Sequence, residues 1–236
     1  MFTTNNDVET TPRYTLELKV TGDGSHTLFI PELNEHYHSH YGAVTESLHV
    51  FTGAGYDHIK AGKDHINILE IGFGTGLNAL LTSLYAEKDN VHVHYSAIEP
   101  YPLSIAICQD LQFPPFTGTP DSQKRFLLLH ESPWGEWCPI DDFFALKKMD
   151  QTVQLYNPES GFFDLVYFDA FGPEVQPEMW TAEIFYKMYR ALKPGGTLVT
   201  YSTKGQVKRN LKETGFGLEK LPGPPGKREI MRAVKP

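Results

Sequence analysis

The sequence predicts an α/β fold of the Rossmann-like class, a mostly parallel sheet wrapped by helices, with an N-terminal β-hairpin extension and a C-terminal antiparallel hairpin. Three observations predict it. The apolar run at residues 66–71 passes through Gly72-Phe73-Gly74-Thr75-Gly76 into an apolar helical stretch at 77–85, the strand-turn-helix unit that opens such sheets. A second strand-like run, 91–98, ends in Glu99, where a βαβ unit places its acidic residue. Strand-like and helix-like segments then alternate towards the C-terminus.

The remaining elements follow in order. Residues 13–30 alternate apolar and polar on either side of Thr21-Gly22-Asp23-Gly24-Ser25, the pattern of a β-hairpin. Residues 36–59 are loop-rich, with a short helix around Glu46, Ser47, Leu48, Val50 and Phe51 expected over the top of the sheet. After the first βαβ unit, strands are expected at 126–129 and 163–168. A helix over about 181–192, a Lys193-Pro194-Gly195-Gly196 turn and a strand at 197–202 come next. A helix at 205–214 and two strands, 217–221 and 229–234, flanking Pro222-Gly223-Pro224-Pro225-Gly226, close the sheet as an antiparallel hairpin. Residues 138–160 are more polar than a simple connection needs and read as an insertion of helix plus loop. Residues 1–60 are thus expected to form an extension and 61–236 the main domain.

Composition narrows the function. At 236 residues, 40% hydrophobic and 21% charged, the chain suits one sizeable globular domain with an appendage. No apolar run approaches the roughly 20 residues that span a bilayer, so a membrane role is not expected. Residues 1–12 are polar and acidic, without the basic and apolar regions of a secretion signal. Cys108 and Cys138 lie in no ligand spacing, which argues against a disulfide framework or zinc knuckle and favours a reducing cytoplasm. The net charge of −8 hides a lopsided distribution: from Lys187 onward twelve Lys or Arg face three acidic residues, a balance of +9, leaving −17 for the rest. An acidic body thus carries a basic C-terminal part.

The glycine turn is where absent Cβ atoms let backbone approach a nucleotide-like ligand. Glu70 precedes it, and Glu99 stands where a carboxylate can accept both ribose hydroxyls of an adenosyl group, which disfavours a 2′-phosphate and hence NADP. The E-x-G-x-G-x-G form, together with Lys193-Pro-Gly-Gly before a strand, favours S-adenosyl-L-methionine over NAD or a purely structural turn. The expected cofactor-binding residues are Glu70, Gly72, Phe73, Gly74, Thr75, Gly76, Asn78 and Glu99. A second constellation, Phe168-Asp169-Ala170-Phe171-Gly172-Pro173, releases an acid and then an aromatic at a strand's carboxyl end. Asp169 there can hold an amine and take its proton while Phe171 packs beside it, as methyl transfer to nitrogen requires; a strand-end Asp can also simply cap its turn. His36, His38 and His40 would share one side of an extended strand, but no carboxylate or cysteine completes a metal site, so a surface or substrate-lining loop is expected and no metal. Trp134 could border an adenine. Lys204, Lys208, Arg209, Lys227 and Arg228 are expected to contact RNA phosphates.

Four segments resemble one known group. They are residues 42–51 (Gly-Ala-Val-Thr-Glu-Ser-Leu-His-Val-Phe), 72–78 (Gly-Phe-Gly-Thr-Gly-Leu-Asn), 168–180 from Phe-Asp-Ala-Phe-Gly-Pro to Pro-Glu-Met-Trp, and 226–229 (Gly-Lys-Arg-Glu). The group is the tRNA 5-(aminomethyl)-2-thiouridine methyltransferases of the MnmD type, found also as the methyltransferase half of bifunctional MnmC-type enzymes. The resemblance implies a class I S-adenosyl-L-methionine methyltransferase sheet and N-methylation of the aminomethyl group at the tRNA wobble uridine. It also implies that Asp169 serves the amine and that Glu46 with Ser47 helps to close the pocket. The bifunctional relatives continue into a flavin-dependent oxidase, so the oxidase step is expected either to be absent or to be supplied by a separate upstream oxidase as partner. Two other readings compete. An aminopropyltransferase of the spermidine synthase type would carry a Gly-Gly-Gly-Asp-Gly turn, absent here, and the basic C-terminal part would repel a polycationic amine. A non-catalytic RNA-binding subunit would not need Glu70, Glu99 and Asp169.

Overall fold

The computed structural model describes residues 14–113 and 121–236; the polar N-terminal stretch and Arg13, where the expected hairpin begins, lie outside them. Two sheets are present. Strands β1 (Glu17–Val20), β2 (His26–Ile30) and β3 (Glu35–His36) form a small antiparallel sheet in the order β1-β2-β3. Its turn is knotted by Asp23, whose carboxylate accepts from Ser25 N and Oγ, Thr21 Oγ1 and Thr45 N and Oγ1. These bonds hold the Asp23 carboxyl at about 2 against the opposing effect of burial.

The large sheet is built on β4 (His65–Ile71), in which every residue after His65 is buried. Ile66, Ile68, Leu69 and Ile71 fill both faces, as a central parallel strand demands. Beside it run β5 (His92–Ile98), β7 (Phe144–Met149), β8 (Phe163–Phe168) and β9 (Leu192–Thr200), all parallel. The short β6 (Cys138–Pro139) and the hairpin β10 (Gly217–Pro222) with β11 (Glu229–Val234) complete the order β10-β11-β9-β8-β4-β5-β7-β6. The chain builds outward from β4 through β5 to β7, then returns to place β8 on β4's other side. That reversal opens a crevice at the carboxyl ends of β4, β5 and β8. At the opposite end Asp164, at the start of β8, accepts from Lys63 and Lys193 at 2.8 Å and from Asn67 N at 2.9 Å. Lys193, of the Lys-Pro-Gly-Gly signature, thus fastens the rim of the sheet far from the crevice.

Helices cover both faces. On one side lie α1 (Ala43–Ser47), a π-helical segment Leu48–Tyr56, α2 (Asp57–Ile59) and α3 (Leu77–Asp89). The expected short helix is thus one continuous stretch of helix from 43 to 59. Gly55 lets it press on the sheet: a Cβ there would sit 3.0 Å from the Tyr167 ring and 3.1 Å from Val199. Helix α3 ends on Asn90 with φ 55°, a left-handed C-cap that Asn tolerates. Helices α4 (Ile105–Asp110) and α5 (Ser122–Glu131) follow β5. On the opposite face α6 (Ala182–Ala191), capped by the Thr181 hydroxyl, and α7 (Gly205–Glu213) pack over β8 and β9. Among the described residues no helix is long and apolar enough to cross a membrane.

Two expectations are corrected. Residues 126–129 belong to α5 rather than to a strand: Phe126, Leu129 and His130 are buried while Leu128 is exposed, a helical spacing hidden inside a continuous apolar run. The strand required there is β7, so residues 138–160 are not an insertion but contain part of the central sheet. Its pattern was hidden by Lys148, which alternates inward with Phe144 and Leu146 and is fully buried.

Candidate active site

A cavity of about 1080 Å³ lies over the carboxyl ends of β4, β5, β7, β8 and β9. Its floor is the glycine turn. The N–H groups of Gly72 and Phe73 both donate to Ile98 O, at 3.0 and 3.3 Å, and Gly74 N donates to Glu99 Oε2 at 2.9 Å. Three successive donors are therefore consumed by the end of β5 and the Glu99 side chain that follows it, which is unlike a loop that offers its amides to a pyrophosphate. The glycines have distinct reasons. At Gly72 (φ 90°) a Cβ would lie 2.7 Å from Asp169 O, and at Gly76 (φ 72°) 2.9 Å from the His130 ring, so both are required by packing within the protein. Gly74 (φ 51°) lines the cavity, and its added Cβ would meet only the Tyr37 ring, at 3.3 Å. Backbone approach to a ligand thus rests on Gly74 alone of the three.

Phe73 turns its ring inward, edge-on to His130 at 5.3 Å and to Trp134 at 6.4 Å. Beneath them the Lys148 ammonium donates to His130 O at 2.6 Å and lies 4.7 Å from the Trp134 ring. Burial lowers this ammonium to about 8. Trp134 is occupied here, and does not line the cavity as an adenine border would. Thr75 is held by His38, whose Nε2 is 3.0 Å from the hydroxyl while Nδ1 is 3.1 Å from Thr27 Oγ1. Burial depresses His38 to about 4, so it is a neutral clasp between the small sheet and the turn. Residues 36–41 line the cavity, and among the described residues no group of His, Cys, Asp or Glu is placed to hold a metal.

Four acids converge from four elements. Glu70 on β4 is fully buried and Asp169 follows β8; Asn78, on the first turn of α3, donates from Nδ2 to both, at 2.9 and 2.8 Å. The Asn78 carbonyl accepts from the Ser47 hydroxyl. Burial drives Glu70 well above the ordinary carboxyl range, with Asp169 close by adding to the effect. Asp169 is pushed up to about 7, first by burial and then by the Glu46 carboxylate, with Asn78 and Lys227 opposing. Glu99 is also pushed to about 7 by burial, opposed by bonds from Gly74 N and Tyr101 N. Glu46 accepts from Ser39 N at 2.7 Å and pairs with Lys227. Phe171 sets its ring edge-on to Tyr37 at 5.1 Å.

The expected cofactor and amine residues line one crevice, except Gly76, Glu70 and Ser47, which are not part of its lining; Glu70 and Ser47 reach it only through Asn78. The expected RNA contacts divide. Lys204, Lys227 and Arg228 line the cavity, whereas Lys208 and Arg209 lie along α7 outside it. Lys204 pairs with Glu174. Lys227 is turned inward onto Glu46 rather than outward to solvent. Sequence reasoning missed Tyr37, Tyr201 and Asp150, which line the same space. Asp150 directly follows β7, so recognising that strand would have added a fourth strand-end acid.

An acidic cavity with one open glycine and a carboxylate at the end of β5 fits a cationic adenosyl donor. Gly74, Glu99 and Asn78 would hold it. Comparison with known proteins agrees. A family model described as S-adenosyl-L-methionine-dependent methyltransferase matches residues 144–236. The tRNA 5-methylaminomethyl-2-thiouridine biosynthesis bifunctional protein MnmC of Paracidovorax citrulli is 30% identical over 219 residues, 88% of this chain and 34% of that protein. The MnmC of Pseudomonas fluorescens is 34% identical over 175 residues, 69% of this chain and 26% of the relative. The chain spans about a third of the length of the curated relatives it matches. Among solved structures, MNMC2 from Aquifex aeolicus superposes with a TM-score of 0.75 at 26% identity, covering 94% of this chain and 71% of that one. A probable spermidine synthase from Corynebacterium glutamicum, at TM-score 0.53 and 15% identity over 94% of this chain and 77% of its own, shares the fold alone.

Proposed function

We propose that this S-adenosyl-L-methionine-dependent methyltransferase, which is similar to the MnmC-type enzymes, methylates the exocyclic amine of 5-aminomethyl-2-thiouridine at the tRNA wobble position. The product is 5-methylaminomethyl-2-thiouridine. The observation that carries this reading is Asp169: a half-buried acid at the end of β8, held by Asn78, lining the cavity with a carboxyl pushed to about 7.

When bound, S-adenosyl-L-methionine supplies an electrophilic methyl group on a sulfonium. Its sulfur would keep the electrons of the bond to that methyl as the amine nitrogen takes it, which leaves the residues of this chain to position the amine and remove its proton. The amine must be neutral to attack, so one proton has to leave the nitrogen. Asp169, ionising near neutrality, is matched to hold the incoming ammonium and to accept that proton at a carboxylate oxygen. Asn78 fixes the carboxylate through its Nδ2. Phe171 and Tyr37 form an apolar wall suited to a pyrimidine ring. Arg228, exposed at the rim, and Lys204, Lys208 and Arg209 nearby supply cationic groups for the tRNA backbone. An upstream oxidase would deliver the aminomethyl precursor, and the reaction belongs in the cytoplasm with its tRNA.

The test is incubation with labelled S-adenosyl-L-methionine and tRNA from cells lacking the final methylation, followed by nucleoside analysis. Label is expected in 5-methylaminomethyl-2-thiouridine. Its absence from that nucleoside, with the donor shown to bind, would refute the substrate assignment.

A further inference from the structure

We infer that Lys227 and Glu46 form a charge-compensating pair for Asp169: Lys227 cancels the Glu46 carboxylate so that Asp169 can reach its anionic, proton-accepting form. Lys227 is thereby a positioning residue inside the cavity and not a phosphate contact. The inference rests on the amine-directed role of Asp169 proposed above.

The geometry places the pair deliberately. Lys227 sits in the loop between β10 and β11, at one edge of the sheet, yet its ammonium reaches Glu46 on α1 and lies 4.0 Å from the centre of the Tyr201 ring. The loop is tight: Lys227 N donates to Pro224 O at 2.9 Å and Gly223 N to Arg228 O at 3.1 Å. Gly226 (φ 84°) packs so closely on the Tyr41 ring that no Cβ fits between them. Glu46 is fastened from its other side by Ser39 N at 2.7 Å. Tyr201, whose ring carries the ammonium, donates from its hydroxyl at 2.8 Å to Ala170 O, the residue beside Asp169. The pair and the acid therefore share one rigid frame.

Charge then gives the pair its consequence. The groups acting around Asp169 are Glu70 from β4, Tyr95 from β5, Glu46 from α1, Tyr201 after β9 and Lys227 from the loop. Among these described residues Lys227 is the one cation. The Glu46 carboxylate beside a half-buried acid favours its protonated form, in which it cannot accept a proton. A lysine already engaged by a carboxylate and a ring face is also a poor donor to a phosphate, whereas the adjacent Arg228 is exposed.

The test is the titration of the Asp169 carboxyl, read by carbon-13 NMR in the free protein, beside the pH dependence of kcat. With Lys227→Met the titration and the acidic limb should both move up by about one unit. With Glu46→Gln both should move down, since the lysine is then unopposed. The double variant should return both close to wild type, and Lys227→Arg should leave them there. Opposite shifts that cancel in the double variant support compensation. Unmoved titrations, with Lys227→Met instead lowering the salt slope of tRNA binding by about one charge, would overturn it in favour of a phosphate contact. The titration needs neither donor nor RNA, so the inference about charge can stand or fall separately from the methylation reading.

Discussion

Asn78 is the residue on which the site's geometry turns. Its two amide hydrogens are divided between Glu70 and Asp169, and its carbonyl takes the Ser47 hydroxyl. Asn78→Ala removes the shared donor from one buried and one half-buried acid, a loss worth about 1–3 kcal/mol. Chemical denaturation should show that loss, and turnover should fall by about a hundredfold because Asp169 is no longer oriented. Asn78→Asp should be worse on both counts, since it adds a third acid. Glu70, Glu99 and Asp169 were legible from sequence because each ends a strand of recognisable pattern. Tyr37, Tyr201 and the inward turn of Lys227 were not, because what brings them to the cavity is pairing between distant segments. Lys227 reads as part of a basic run until the hairpin carrying it is folded over Glu46.

Among the elements, legibility followed hydrophobic patterning wherever side chains obeyed it. Strands β4 and β8 are apolar on both faces, and α6 shows an apolar stripe, so their bounds were nearly right. Strand β7 failed because an inward lysine broke the alternation, and α5 because four consecutive apolar residues imitate a buried strand. The π-helical segment 48–56 could not be read from composition; its register is imposed by packing on β8 and β9. Gly55→Ala should test that contact. The added methyl meets Tyr167 and Val199 at 3.0–3.1 Å, and overpacking of this kind costs about 1–3 kcal/mol. The melting temperature should drop by about 2–4 °C per kcal/mol. For α7, charge reversal at Lys208 and Arg209 together with Arg228 should weaken tRNA binding and flatten its dependence on salt, with turnover at saturating tRNA little changed.

For the molecule as a whole, the buried acids couple stability to pH. Asp169 and Glu99 are raised to about 7 and Glu70 is raised further, so the folded chain holds protons that the unfolded chain releases from about pH 4. Their contribution is full below the unfolded values and is lost as pH rises through 7. His38 and His130, lowered to about 4 by burial, oppose this effect between about pH 4 and 6.5 without outweighing three raised acids, and Asp23 and Asp164, shifted downward, oppose it only in more acidic solution. The ligand-free protein should therefore unfold at lower urea at pH 8 than at pH 5.5, and Asp169→Asn should narrow that difference while gaining stability at pH 8. A site built from strained acids is less stable than one without them, as catalytic sites commonly are. The most direct measurement is the comparison of donor binding and single-turnover methyl transfer in Asp169→Ala. The structure predicts S-adenosyl-L-methionine affinity within about threefold of wild type, because the turn is held by β5, and a loss of transfer of about a thousandfold or more, the upper reach of general-base and positioning effects. Loss of donor binding, or transfer that persists near the wild-type rate, would contradict the assignment of Asp169 to the amine.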